Sequence, residues 1–237
     1  MIANSAKRLI GQIRSTLQLR IYDADFIQQC MSDWAQLQKY RASNLRIIQL
    51  NAHYPVIFFG DSITEQWDLT EYFPGKPYLN RGVCGQTTAQ LLIRFRPDVI
   101  ALKPKLVVIL AGTNDLAGNL GATELEQIQD NYASIAELAQ IHRIRVMFSS
   151  VLPVHDTNEV QQTIRRSPEK IQLLNTWIKQ YCLENNHDYL DYYSYLSDDR
   201  EQLQSALSYD GLHPNEAGYR IMSSRATVAI AKVLTTP

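Results

Sequence analysis

The apolar run "VIFF", Val56 to Phe59, stops at Gly60, Asp61 and Ser62, which places a hydroxyl where a buried segment ends. A serine hydroxyl is a poor nucleophile until a base takes its proton. Histidine, with an ordinary pKa of about 6.5, suits that task near neutrality. His213 follows Asp210 in "DGLHPNEAGY", and a carboxylate bonded to the far ring nitrogen would hold the tautomer and stabilise the imidazolium. "NRGVCGQTT" and "AGTNDLAG" add Gly82, Gly85, Gly112 and Asn114. Backbone N–H groups at a glycine turn and an Asn amide can bind an oxyanion. Ser, His and Asp with glycines and an Asn form the set that acyl transfer requires.

Each residue also has a plainer reading. Ser62 could cap a helix, with its hydroxyl facing the surface. Asp61 could shape the turn, and Asn114 and Asp115 could form an ordinary turn, the reading favoured for Asp115 but not for Asn114. Asp210 and His213 could ligate a metal, with His155 and Asp156 as further candidates. Cys84, beside Gly85, reads as a small apolar filler. Trp67 and Tyr78 could line a pocket, although aromatic residues near strand ends more often belong to the core.

Such residues need a scaffold. "PVIFFG", "YLNRGV", "KLVVILAG", "RVMFSSVLP" and "DYLDYYSYL" read as strands, and helical patterns separate most of them. That alternation predicts a parallel sheet with helices on both faces, and continuous apolar runs such as "VVIL" predict strands covered on both sides. Ligands of such a sheet bind beyond the carboxyl ends of its strands, where Ser62, Gly85 and Asn114 fall. Helices are predicted over Ala24 to about Ala42, with Phe26, Cys30, Trp34, Leu37 and Arg41 on one side, and over Thr87 to Phe95. Another follows a Thr123/Glu126 capping box, and two more cover Pro168 to about Glu184 and Pro214 to Leu234. Val154 to Pro168 is the longest segment without a clear element, and such loops often border sites.

The chain has 237 residues, a size one core can serve. A formal net charge of −1, from 23 basic and 24 acidic residues, lacks the footprint of a nucleic-acid binder and favours small substrates. Its 3 cysteines suggest neither a disulfide framework nor a zinc site. There is no apolar run of about 18 residues and no signal-type apolar region, so a cytoplasmic location is expected. Residues 1–22 carry Lys7, Arg8, Arg14 and Arg20 without an acid, a basic amphipathic segment suited to lying on the domain or to weak membrane-surface contact.

The blocks "FFGDSITEQW", "NRGVCGQTT", "VILAGTNDL" and "DGLHPNEAGY" resemble, in order, the four blocks of the GDSL, or SGNH, hydrolase family. The resemblance spans roughly Pro55 to Tyr219. It implies a single SGNH hydrolase domain over 1–237, with an N-terminal helical extension at about 1–50. The implied fold is a flavodoxin-like three-layer α/β/α sandwich with a central parallel sheet of about five strands. By position it makes Ser62 the nucleophile, His213 the base and Asp210 its partner. Gly85 and Asn114 become oxyanion donors alongside the Ser62 N–H. The implied activity is hydrolysis of a small-molecule ester, short acyl or acetyl, through an acyl-enzyme with no metal or organic cofactor. Acyl transfer to a sugar or lipid hydroxyl, and a non-catalytic binding module, are the alternatives on the same fold. Ile63 stands where the name-giving motif has Leu.

Overall fold

The computed structural model describes residues 32–235. Residues from Tyr40 onward form one compact unit, and Met1–Lys39 belongs to another, of which only residues 32–39 are described. The basic segment at 1–22, and Phe26 and Cys30 of the first predicted helix, lie outside the described residues.

Five short strands, β1 (Val56–Gly60), β2 (Tyr78–Gly82), β3 (Leu106–Leu110), β4 (Arg145–Ser149) and β5 (Asp188–Leu190), form one sheet in the order β2-β1-β3-β4-β5. All four pairings are parallel. This is the flavodoxin-like doubly wound order, with its switch point between β1 and β3. β1 and β3 are buried at every residue because both faces are covered, so no polar alternation interrupts them.

Successive side chains point to opposite faces and divide between two cores. Ile57, Phe59, Val107, Ile109, Val146 and Phe148 pack with the helices Thr88–Asp98, Leu125–Ile141 and Pro168–Glu184. Val56, Phe58, Leu106, Val108, Leu110 and Met147 pack with Ile63 to Phe73 and the helix Glu216–Thr235. Trp67 belongs to this second core at 3% exposure, in edge contact with Phe58 and with Nε1 donating to Ser223 Oγ at 3.2 Å. Tyr78, half-buried, packs against the same aromatic group.

Several element boundaries differ from expectation. The first described long helix runs Gln38–Gln49, beyond the expected end at Ala42, because the Asp33 carboxylate accepts from the N–H groups of Leu37 and Gln38 and starts the helix there. Trp34 and Leu37 precede it. The capping box of the helix Leu125–Ile141 is Glu124 with Gln127, not Thr123 with Glu126: the Glu124 N–H donates to Gln127 Oε1 at 3.0 Å. The last helix begins at Glu216 rather than Pro214, since Asn215 Oδ1 accepts from the N–H groups of Ala217 and Gly218. β5 keeps only Asp188–Leu190 of "DYLDYYSYL", and Tyr193–Leu196 is a helical turn. The Ser150 hydroxyl accepts from the N–H groups of Tyr192 and Tyr193, each at 2.8 Å, and bends the chain out of the sheet.

Candidate active site

Parallel register assembles the site. Gly60 is level with Gly82 on one side and Leu110 on the other, so β1, β2 and β3 end together and the loops carrying Ser62, Gly85 and Asn114 leave the sheet at one edge. Gly60 has no unusual φ; it is needed for space, because a Cβ there would lie 2.3 Å from the Leu110 carbonyl oxygen and 2.4 Å from Thr64 Oγ1. Gly82 is tighter still, with a Cβ 2.1 Å from the Glu65 backbone nitrogen. The short helix Ser62–Glu65 is thereby pressed onto the strand ends. Asp61 starts it, Oδ1 accepting from the Ile63 N–H at 3.0 Å, which leaves the Ser62 N–H without an intrahelical acceptor.

Ser62 is 4% exposed, not surface-facing as expected. Its Oγ lies 2.9 Å from His213 Nε2. His213 Nδ1 is 2.7 Å from Asp210 Oδ2, while Asp210 Oδ1 accepts from the N–H groups of Leu212 and His213 at 3.0 and 2.8 Å. Burial alone would raise the Asp210 carboxyl, but the backbone and ring N–H of His213 outweigh it and hold the group below the usual carboxylate range. An ionised carboxylate only accepts, so Nδ1 carries the ring proton and Nε2 presents its lone pair to the Ser62 hydroxyl. The loop is pinned by Gly211, whose φ of +81° and contact with the His155 carbonyl leave no room for a side chain. Tyr219 OH donates to the Ile63 carbonyl at 2.8 Å, tying the last helix to the Ser62 turn.

Asn114 is 3% exposed, and its amide has a defined direction. Nδ2 donates to the Gln86 carbonyl at 3.0 Å and Oδ1 accepts from Asn119 Nδ2 at 2.9 Å, so one amide hydrogen remains for a ligand. Gly85 takes φ +75°, with nothing within 4 Å of a would-be Cβ. It therefore presents backbone rather than side chain to open space. Asp115, read from sequence as a turn residue, instead receives the Thr88 N–H and hydroxyl, the latter at 2.6 Å, and anchors the start of the preceding helix Thr88–Asp98. Burial pushes Asp115 up to about 6, against those bonds. Asp61 is wholly buried, and burial pushes it up to about 7, opposed by the Ile63 N–H; its Oδ2 has no partner.

Asn119, Gln162 and Arg166 were not singled out by sequence. Asn119 orients Asn114, and Gln162 Nε2 donates to the Asp210 carbonyl at 3.3 Å. The only hint was that two of them lie in the long Val154 to Pro168 segment. Among the described residues no three His, Cys, Asp or Glu side chains converge; His155 Nδ1 bonds the Asp156 carbonyl, and Asp156 takes the N–H and hydroxyl of Thr163. Cys84 is exposed, not the filler expected, and its N–H donates to Glu65 Oε2.

The family model for the GDSL-like lipase/acylhydrolase family matches residues 58–221, which contain every residue of this arrangement. The chain belongs to that family. Among solved structures, a GDSL-like lipase of Bacteroides thetaiotaomicron is 37% identical, with a TM-score of 0.77 over 84% of this chain and 99% of its own. An acetylxylan esterase of Geobacillus stearothermophilus is 26% identical over 154 residues, 61% of this chain and 68% of the esterase. A lipoprotein of Bacillus subtilis is 29% identical over 122 residues, so the chain spans 50% of that relative's length. No described helix of this family member is long and apolar enough to cross a membrane.

Proposed function

We propose that this acylhydrolase-family chain is a serine-dependent carboxylic ester hydrolase acting on short acyl or acetyl esters. The observation that carries the reading is the continuous path Ser62 Oγ, His213 Nε2, His213 Nδ1, Asp210 Oδ2, with spacings of 2.9 and 2.7 Å. Ser62 Oγ attacks the ester carbonyl carbon while Nε2 takes its proton. The Ser62 and Gly85 N–H groups and the remaining Asn114 amide hydrogen receive the oxyanion. Collapse breaks the bond to the alcohol, which leaves with the proton from Nε2, and the acyl group stays on Ser62. Water, deprotonated by the same nitrogen, then attacks the acyl-enzyme and releases the acid. The acetylxylan esterase relative supports acetyl esters of sugars as the first substrates to try.

A fluorophosphonate should add once, on the peptide containing Ser62, and block turnover of p-nitrophenyl acetate. Rates should fall along the p-nitrophenyl series from acetate to palmitate. Labelling confined to another residue, or wild-type turnover by Ser62→Ala, would sink the assignment.

A further inference from the structure

Arg166 is 4% exposed, and hydrolysis of a plain ester gives it no task. It follows the short helix Gln162–Arg165 in the loop between β4 and the helix Pro168–Glu184. Its Nε donates to Thr113 Oγ1 at 3.0 Å and its Nη1 to Gln162 Oε1 at 2.7 Å. Thr113 immediately precedes Asn114, and Gln162 holds the Asp210 carbonyl. The guanidinium therefore bridges the oxyanion side and the acid–base side of the site.

Both of its partners are neutral. The buried Arg94 shows the usual alternative in the same fold: Nη2 lies 2.7 Å from the Asp98 carboxylate. Arg166 has no such ion pair among the described residues. A buried cation without a paired carboxylate is costly, and two neutral acceptors do not require a charge to satisfy them. Burial, reinforced by Arg165, lowers its pKa to about 10 against the opposite pull of Asp61 and Asp210, so it is cationic at neutral pH. Of its five N–H donors, one on Nε and one on Nη1 are engaged by described residues, so the second Nη1 hydrogen and both on Nη2 bond none of them. A second cation stands beside it: exposed Arg165 reaches Asn119 Oδ1, at 3.4 Å, the residue that orients Asn114.

We infer that Arg166, with Arg165 at the rim, forms a carboxylate-recognising subsite, so that the preferred ester carries a carboxylate close to the bond being cut. The inference rests on the ester-hydrolase reading. Guanidinium and carboxylate match as forks, and the charge-assisted bonds favour the anionic ester over its neutral counterpart by about 10- to 100-fold.

Two matched pairs test it. p-Nitrophenyl hemisuccinate against its methyl ester puts the charge on the acyl side; p-acetoxybenzoate against methyl p-acetoxybenzoate puts it on the leaving side. In at least one pair the wild-type kcat/KM ratio of anionic to neutral ester should exceed one, mainly through KM, and fall as salt is added. Arg166→Gln should lower that ratio by about 10- to 100-fold, and Arg166→Lys should retain part of it. A wild-type ratio of one or less in both pairs overturns the subsite, and so does an Arg166→Gln variant that slows both members of a pair equally, which a mere brace would produce. Should that variant not fold, the wild-type ratio and its salt dependence decide alone. Failure of all four esters together with no fluorophosphonate adduct at Ser62 would instead remove the ester-hydrolase reading, and the subsite with it.

Discussion

Replacing Asn114 by Ala separates chemistry from packing. The amide makes two neutral bonds, to the Gln86 carbonyl and from Asn119, which together contribute about 1–3 kcal/mol to stability. The second Nδ2 hydrogen engages charge that exists only near the transition state. Removing a donor of that kind lowers kcat by about 10²- to 10³-fold, or about 2.7–4 kcal/mol, with little change in KM. Asn114→Asp should be slower still, because a carboxylate oxygen would face both the Gln86 carbonyl and the developing oxyanion. The assay is kcat on p-nitrophenyl acetate, divided by the titre of sites that react with a fluorophosphonate, alongside thermal unfolding. A variant that melts early yet turns over at the wild-type rate per titrated site would refute the oxyanion role.

Two further outcomes concern the scaffold. Asp61, raised by burial to about 7 from an ordinary 3.8, keeps its proton in the folded chain after the unfolded chain has lost it. The part of stability linked to Asp61 should therefore be fully present below about pH 4 and be lost as pH rises through about 7, alongside a similar loss from Asp115 near 6; Asp61→Asn should remove its share of that slope, as urea unfolding at a series of pH values would reveal, and an unchanged slope would count against a buried, protonated Asp61. Gly82→Ala should cost about 3 kcal/mol or more, because its Cβ meets backbone at 2.1 Å, whereas Gly85→Ala should cost only the left-handed strain of about 1–2 kcal/mol. Equal losses in urea unfolding would contradict that difference in cause.

Much of the architecture was legible from local pattern. β1 and β3 are apolar throughout because two helical layers cover them, and the residues Ser62, Gly85 and Asn114 sit immediately beyond strand ends, where an α/β sheet exposes its ligand edge. Asp210 and His213 were legible as a pair because a single turn joins them. What the sequence alone left open depends on partners distant along the chain. "DYLDYYSYL" has strand propensity throughout, but the Ser150 hydroxyl, presented just beyond β4, accepts from Tyr192 and Tyr193, and the Asp191 carboxylate accepts from Ser194, so its second half leaves the sheet. Asp115 and Asn114 are neighbours of similar shape, yet one anchors Thr88 and the other keeps a hydrogen free, because Asn119 and Gln86 orient only the amide. Arg166 lies in the long Val154 to Pro168 segment, where nothing local in the sequence distinguishes it. Its burial against Thr113, and the lack of an ion pair with any described residue, arise only when the β3 and β4 loops meet over the same sheet edge, since desolvation is a property of the packed neighbourhood and not of the residue.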